Sequence, residues 1–115
     1  MESFRAGQVV RVPFPYTDKD TRQHRPALII SRGGIGQTGA LLWVLMITSA
    51  ENKKWPGDIV VEDLPATGLP IVSLVRTSKI ATIETGDAEV IGQISDPLLA
   101  LVTGEVIKNL TSSTS

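Results

Sequence analysis

GQVVRVPFPYTDKDTRQHRPALIIS, residues 7–31, places two apolar strand-like runs around a polar loop. From Gln8 to Phe14 the residues alternate, with Val10, Val12 and Phe14 on one side and Val9 and Arg11 on the other, as in a strand with a buried face. Pro13 and Pro15 end that run, because neither has an N–H to give to a ladder. Tyr16–Gln23 is the polar loop, and Ala27–Ser31 is a short second strand. Between loop and strand stands Arg25-Pro26. Proline fixes its own φ and biases the residue before it toward extended geometry. Arg25 is therefore expected at the mouth of a buried strand, its guanidinium toward the loop. A permanently charged group with five N–H donors on a rigid strand end is suited to grip a phosphate. The competing reading is an ion pair with Asp18, Asp20 or Glu51.

Beyond Ser31, Gly33–Gly39 is a glycine-rich turn and Leu41–Ile47 an unbroken apolar run, as expected for a strand covered on both faces. Thr48–Gly57 is a second polar loop. Asp58–Val61 and Ile71–Val75 read as short strands separated by the Pro65–Pro70 region. Ile80–Thr85 and Glu89–Ile94 flank Gly86-Asp87, which predicts a hairpin. Asp96-Pro97 predicts a helix start, with the Asp96 carboxylate capping free amides and proline at the first helical position. Leu98, Leu99, Leu101, Val102, Val106, Ile107 and Leu110 follow at helical spacing, and Gly104 weakens that helix by roughly 0.5–1 kcal/mol relative to alanine. Many short strands with one terminal helix predict a mainly β fold, a small and strongly bent antiparallel barrel. Arg25 begins one strand and Thr48 ends another, so antiparallel pairing brings Tyr16–His24 and Thr48–Lys54 to one rim. The 115 residues suit a single domain over 1–115, with 1–6 and 111–115 as fraying tails.

The chain carries 11 Lys plus Arg against 12 Asp plus Glu, a net charge of −1, which argues against a general nucleic-acid coating protein. Local clusters remain: Lys19, Arg22, Arg25 and Arg32, then Lys53 with Lys54, then Arg76 with Lys79. A neutral total can hide a basic face. Cysteine is absent, which excludes a disulfide framework and thiolate metal sites. His24 is the single histidine, and with scattered carboxylates it shows no metal-ligand spacing. The first residues lack the basic-then-apolar pattern of a signal peptide. The longest apolar run, Ala40–Ile47, falls far short of the roughly 20 residues of a membrane helix. The expectation is a cytoplasmic protein with no membrane attachment, no metal and no cofactor. Gly34-Ile35-Gly36-Gln37-Thr38-Gly39 matches the glycine pattern of dinucleotide-binding folds, with Asp58 at a suitable distance. A strand-like run follows it rather than the helix such a site needs, so it reads as a turn.

Together these segments resemble the MazF/PemK family of bacterial toxins from type II toxin–antitoxin pairs. The match runs from Gly7-Gln8-Val9-Val10 through VPFPYTD to HRPALIIS. It continues at Ile47-Thr48-Ser49, Gly57-Asp58-Ile59, Gly68-Leu69 and Ser73-Leu74-Val75-Arg76 leading into Lys79-Ile80, and extends to about Leu110. The resemblance implies an SH3-like barrel, a homodimer, and an endoribonuclease that cuts single-stranded RNA at short motifs without metal. It also implies a cognate antitoxin whose tail lies across the active face. In the family the Arg of the Arg-Pro pair and the Thr of the Thr-Ser pair are tied to catalysis, which maps catalysis onto Arg25 and Thr48. Gln8 stands where the family usually has an acid. Ser73-Leu74 stand where some members have an acid and a glutamine, so no base is carried over from there. Relatives of this fold that poison gyrase supply the alternative, a non-enzymatic barrel that inhibits a protein target.

RNA can be cut without metal when its own 2′-hydroxyl attacks the neighbouring phosphate. Arg25 would relieve charge on the phosphate with paired N–H donors, and Thr48 would add one hydrogen bond. On its own, Thr48 also reads as an ordinary β-branched strand residue. Thr17, Asp18, His24, Ser49, Lys53 and Arg76 are expected to position RNA around the pair. Imidazole can exchange a proton near neutral pH, yet neighbours on a strand face opposite ways. His24 thus stands either as the base or as an RNA contact. Lys53-Lys54 beside Trp55 is either a solvated loop or a basic channel with a base-stacking platform, and Tyr16 has the same two readings. Trp43, inside an apolar run, is expected in the core or at a dimer interface.

Overall fold

The computed structural model describes residues 3–13 and 24–111. Strands form at Gln8–Pro13 (β1), His24–Ile29 (β2), Leu41–Ser49 (β3), Ile59–Val61 (β4), Ser73–Glu84 (β5) and Glu89–Gln93 (β6). A single helical turn lies at Leu64–Thr67 (α1) and a longer helix at Asp96–Leu110 (α2). Phe14, Pro15 and the loop 16–23, with Tyr16, Thr17, Asp18 and Asp20, lie outside the described residues, as do 1–2 and 112–115. Among the described residues the strands make one antiparallel sheet in the order β4-β5-β3-β2-β1-β6. The expected mainly β fold is what forms, a curled, barrel-like sheet with a C-terminal helix.

Alternation along the strands sends apolar side chains to both faces. Val10, Val12, Ala27, Ile29, Leu42, Val44 and Met46 make one buried cluster, margined by Phe4, Ala81, Ile83 and Ala88. Val9, Leu28, Leu45, Ile47, Val75 and Ile94 make the other, against which α2 sets Val102 with Leu98, Leu99 and Val106. The α2 start is capped by Ser95, whose side chain accepts from the Leu98 N–H, so Asp96 is a first-turn residue and the expected Asp96 cap is corrected. Among the described residues no helix is long and apolar enough to cross a membrane.

Four other expectations change. β2 begins at His24 rather than Ala27, so Arg25-Pro26 lies within the strand. Pro26 is tolerated there because pairing to β3 starts only at Ala27, and its missing N–H interrupts no ladder on that side. The segments expected as separate strands at Ile71–Val75 and Ile80–Thr85 belong to one strand, β5. The Gly86-Asp87 hairpin does not form: β6 pairs with β1, and a 3-10 turn at Thr85–Asp87 leads the chain around a corner. A tight hairpin turn there needs positive φ at its central residues, and neither Gly86 nor Asp87 adopts it. Trp43 is 48% exposed, which removes it from the core. Only its half of β3 alternates; Val44–Ile47 is covered on both faces, as expected.

α1 meets β6 through two glycines. Gly68 ends α1 in the left-handed region (φ 73°), and a Cβ there would strike the Ile91 carbonyl oxygen. A Cβ on Gly92 would strike the backbone of Ala66 and Thr67. Backbone cannot yield as a flexible side chain can, so Gly92→Ala is expected to lower unfolding free energy by about 1–3 kcal/mol. Gly104, with open space around it on α2, should behave oppositely, Gly104→Ala raising stability by about 0.5–1 kcal/mol. Urea melts of the two variants check both signs.

Candidate active site

β2 and β3 run antiparallel with Ala27 opposite Met46, Leu28 opposite Leu45 and Ile29 opposite Val44. Continuing that register by two residues sets Arg25 across from Thr48. Both project from the face that carries Ala27 and Met46, because side chains repeat every second residue. The pair lies at the meeting of two hollows. One, of about 220 Å³, is walled by Arg25, Met46, Ile47, Thr48, Trp55, Arg76 and Lys79. The other, of about 340 Å³, runs past His24, Pro26, Ser49, Asn52, Pro70, Ile71 and Ser73 and shares Arg25, Ile47 and Thr48 with the first. Joined at the shared residues, they form a groove of the kind a flexible backbone can lie in.

An irregularity in the sheet builds the first hollow. From Leu45 to Ile47 β3 advances two residues, while its partner β5 advances five, from Ile80 to Val75. The surplus bulges out of the ladder, and it carries Arg76 and Lys79 to the hollow. Arg76 is 7% exposed. Its Nη1 pairs with Asp58 Oδ2 at 2.9 Å, and its Nη2 donates to the Lys53 carbonyl at 3.0 Å. Its guanidinium carbon stands 3.9 Å from the centroid of the Trp55 ring, a cation–π distance. The Trp55 N–H donates to the same Asp58 oxygen at 2.8 Å, and Thr77 Oγ1 donates to the Gly57 carbonyl at 2.8 Å. The loop 50–57 is thereby pinned to β5. Asp58 Oδ1 is buried with no hydrogen-bond partner among the described residues.

At the other end of the loop, Thr48 Oγ1 accepts from Asn52 Nδ2 at 2.7 Å. Ser49 Oγ accepts the Glu51 N–H at 3.0 Å, and the Ser49 carbonyl accepts the Asn52 N–H at 3.0 Å. These bonds make a tight turn that folds Asn52 back over Thr48.

Of the residues singled out from sequence, Arg25, Thr48, His24 and Ser49 are brought together in the second hollow, and Arg76 joins Arg25 and Thr48 in the first. Arg76 does so as a braced wall, since Asp58 and Lys53 occupy its donors. Lys53 is exposed and lines neither hollow; what the site uses of it is the carbonyl held by Arg76. Thr17 and Asp18 lie outside the described residues. Asn52 and Lys79 were missed as site residues. Lys79 is signalled only by its closeness to Arg76 in sequence, and Asn52 by nothing beyond its place four residues after Thr48.

Residues 5–110 match the family described as PemK-like, MazF-like toxin of type II toxin–antitoxin system. No curated protein matches the chain in sequence. Among solved structures the chain is similar to one in the MazE–MazF crystal structure (form II) from Deinococcus radiodurans. That pair has 22% identity and a TM-score of 0.75, with 98% of this chain and 100% of that chain covered. A MazF crystal structure (form I) from the same organism is 20% identical at a TM-score of 0.73, over 96% of this chain and 98% of that one. A mycobacterial endoribonuclease in complex with its cognate antitoxin is 17% identical at 0.71, over 96% and 95%. At such identities the structural likeness is one of fold, and membership rests on the sequence match. The chain belongs to the PemK-like, MazF-like toxins of type II toxin–antitoxin systems.

Proposed function

We propose that this toxin is an endoribonuclease that cuts single-stranded RNA at short motifs without metal or cofactor, with Arg25 and Thr48 as its catalytic pair. The observation that carries the reading is their placement opposite each other at the junction of the two hollows. A phosphodiester lying across that junction meets a guanidinium on one side and a hydroxyl on the other. The ribose 2′-oxygen attacks phosphorus as the bond to the 5′-oxygen breaks. The 2′ proton passes to a base and a proton is returned to the departing 5′-oxygen, leaving a 2′,3′-cyclic phosphate and a 5′-hydroxyl end. Arg25 takes up the charge that grows on the non-bridging oxygens, and the Thr48 hydroxyl donates one further bond. His24 lines the second hollow beside Arg25, and because strand neighbours face opposite ways it enters as an RNA contact. Ser49 and the Trp55 face hold the flanking nucleotides, and Thr17 and Asp18 enter as RNA contacts on sequence grounds alone.

Both the Deinococcus complex and the mycobacterial one pair a toxin-fold chain with its antitoxin, which supports a cognate antitoxin for this chain, acting in the cytoplasm by covering the same groove. A homodimer is the second assembly. Leu41, Trp43 and Ile80 are exposed on one face of adjoining strands, an apolar patch that a second copy covers.

Purified protein is expected to cut an unstructured transcript in EDTA, with cyclic-phosphate ends at each cut. Arg25→Ala should abolish cutting while unfolding stays cooperative; end-group mapping and denaturant melts read these out. Arg76→Ala has a different signature, because it strands Asp58 as a buried unpaired charge. It should lose about 3–5 kcal/mol of stability, measured in the same melts. Trp43→Glu is expected to convert a dimer to monomer in sedimentation equilibrium.

A further inference from the structure

We infer that Asn52 is a positioning residue for Thr48: its side-chain amide fixes the direction in which the Thr48 hydroxyl donates. The inference rests on the ribonuclease reading and deepens it. A threonine hydroxyl has one proton and two lone pairs, and its proton rotates to suit its surroundings. In this site the Asn52 Nδ2–H donates to Thr48 Oγ1 at 2.7 Å. That bond occupies one lone pair. It also bars the Thr48 proton from pointing toward Asn52, where it would meet the amide hydrogens. Of the two positions left to the proton, one faces Arg25, with which Thr48 shares both hollows. An unbridged hydroxyl would as readily accept a bond from water or from a ribose hydroxyl as donate one. With one acceptor lone pair already taken, the bridged hydroxyl is biased toward donating to phosphate before RNA arrives, which is the kind of preorganisation that speeds a charged transition state.

The turn around it serves this geometry. The Ala50 N–H donates to the Val72 carbonyl at 2.9 Å, and Ser49 receives both the Glu51 and Asn52 N–H groups. Three backbone N–H groups thus hold the turn that carries Asn52, a residue that is itself exposed. An exposed side-chain hydrogen bond adds little to folding stability, so the worth of Asn52 lies in where it sends a proton.

The test is a double-mutant cycle on a short single-stranded oligonucleotide carrying one mapped cut site, with kcat and KM measured separately. Asn52→Ala should lower kcat by about tenfold with KM within about twofold, and Thr48→Val should lower kcat by about 100-fold. The double variant should match Thr48→Val, because Asn52 acts only through that hydroxyl. Tm should stay within about 2 °C for Asn52→Ala. Asn52→Asp, whose carboxylate accepts the Thr48 proton, should be impaired at least as much as Asn52→Ala. A readout free of RNA accompanies these: the Asn52 side-chain amide protons should shift upfield in NMR spectra of Thr48→Val. Losses that multiply in the double variant, wild-type kcat in Asn52→Asp, or an unmoved amide signal would each overturn the inference. A wild-type protein that leaves RNA uncut while the amide signal still moves would sink the ribonuclease reading and, with it, the role given to the bond.

Discussion

Burial on both faces of the β2–β3 pair locks the register from which the site inherits its geometry. Leu28 and Leu45 belong to the cluster under α2, while Ala27, Ile29, Val44 and Met46 belong to the opposite cluster, all of them buried. A slip of one residue would carry every one of these side chains to the wrong face. A slip of two would keep the faces but misalign the fully buried Leu28 and Leu45. Arg25 and Thr48 lie two residues beyond this locked segment, so their opposition needs no interaction of its own. The core sets it.

The second constraint is the buried pair of Arg76 and Asp58, with side chains 9% and 1% exposed. Removing two charges from water is expensive, and such a pair is weak evidence for net stability. Here the desolvation is offset by several bonds to the same groups: the Trp55 amide on Asp58 Oδ2, the Lys53 carbonyl on Arg76 Nη2, and the indole face over the guanidinium. Asp58 Oδ1 has no partner among the described residues, and the arrangement's other bonds run to the loop backbone. What it positions is the loop from Ala50 to Gly57, whose two ends carry Asn52 against Thr48 and Trp55 into the first hollow. A well-packed apolar pair would not reach the loop backbone in this way.

Alternation made most strands readable, and the Arg25-Pro26 and Thr48-Ser49 segments were readable as strand ends facing one rim. The rest depended on information that no local pattern holds. Thr77, Ser78 and Lys79 interrupt the apolar pattern of β5 and look like a loop, yet they are a bulge in a continuous strand whose partner settles its path. Gly86-Asp87 is strong local turn chemistry, but whether a chain reverses or turns a corner depends on which strand is free to pair, and that strand is β1. The run Leu41–Ile47 suggested cover on both faces throughout; only the half near Thr48 has it, because α2 and the Leu69–Val75 region reach that end alone. Asn52 is a polar residue in a polar loop. Its meaning comes from the Ser49 turn, which only coordinates reveal.

The proposed substrate is a polyanion although the chain's net charge is −1, so the placement of charge matters. Glu84 lies at the end of β3 away from Thr48, opposite Leu41, while Glu89 on β6 pairs with Arg11 at 3.6 Å. Arg25, Arg76 and Lys79 line the groove, and Arg76 is paired with Asp58. Few cations among the described residues line it. Non-specific affinity for a polyanion scales with the number of phosphates neutralised, so under the ribonuclease proposal charge alone would hold RNA only weakly. The remaining binding energy has to come from short-range contacts with bases in the hollows on either side of the junction. On that proposal, such contacts would form only with a strand carrying the right bases beside the bond to be cut, which would give a weakly charged groove its selectivity.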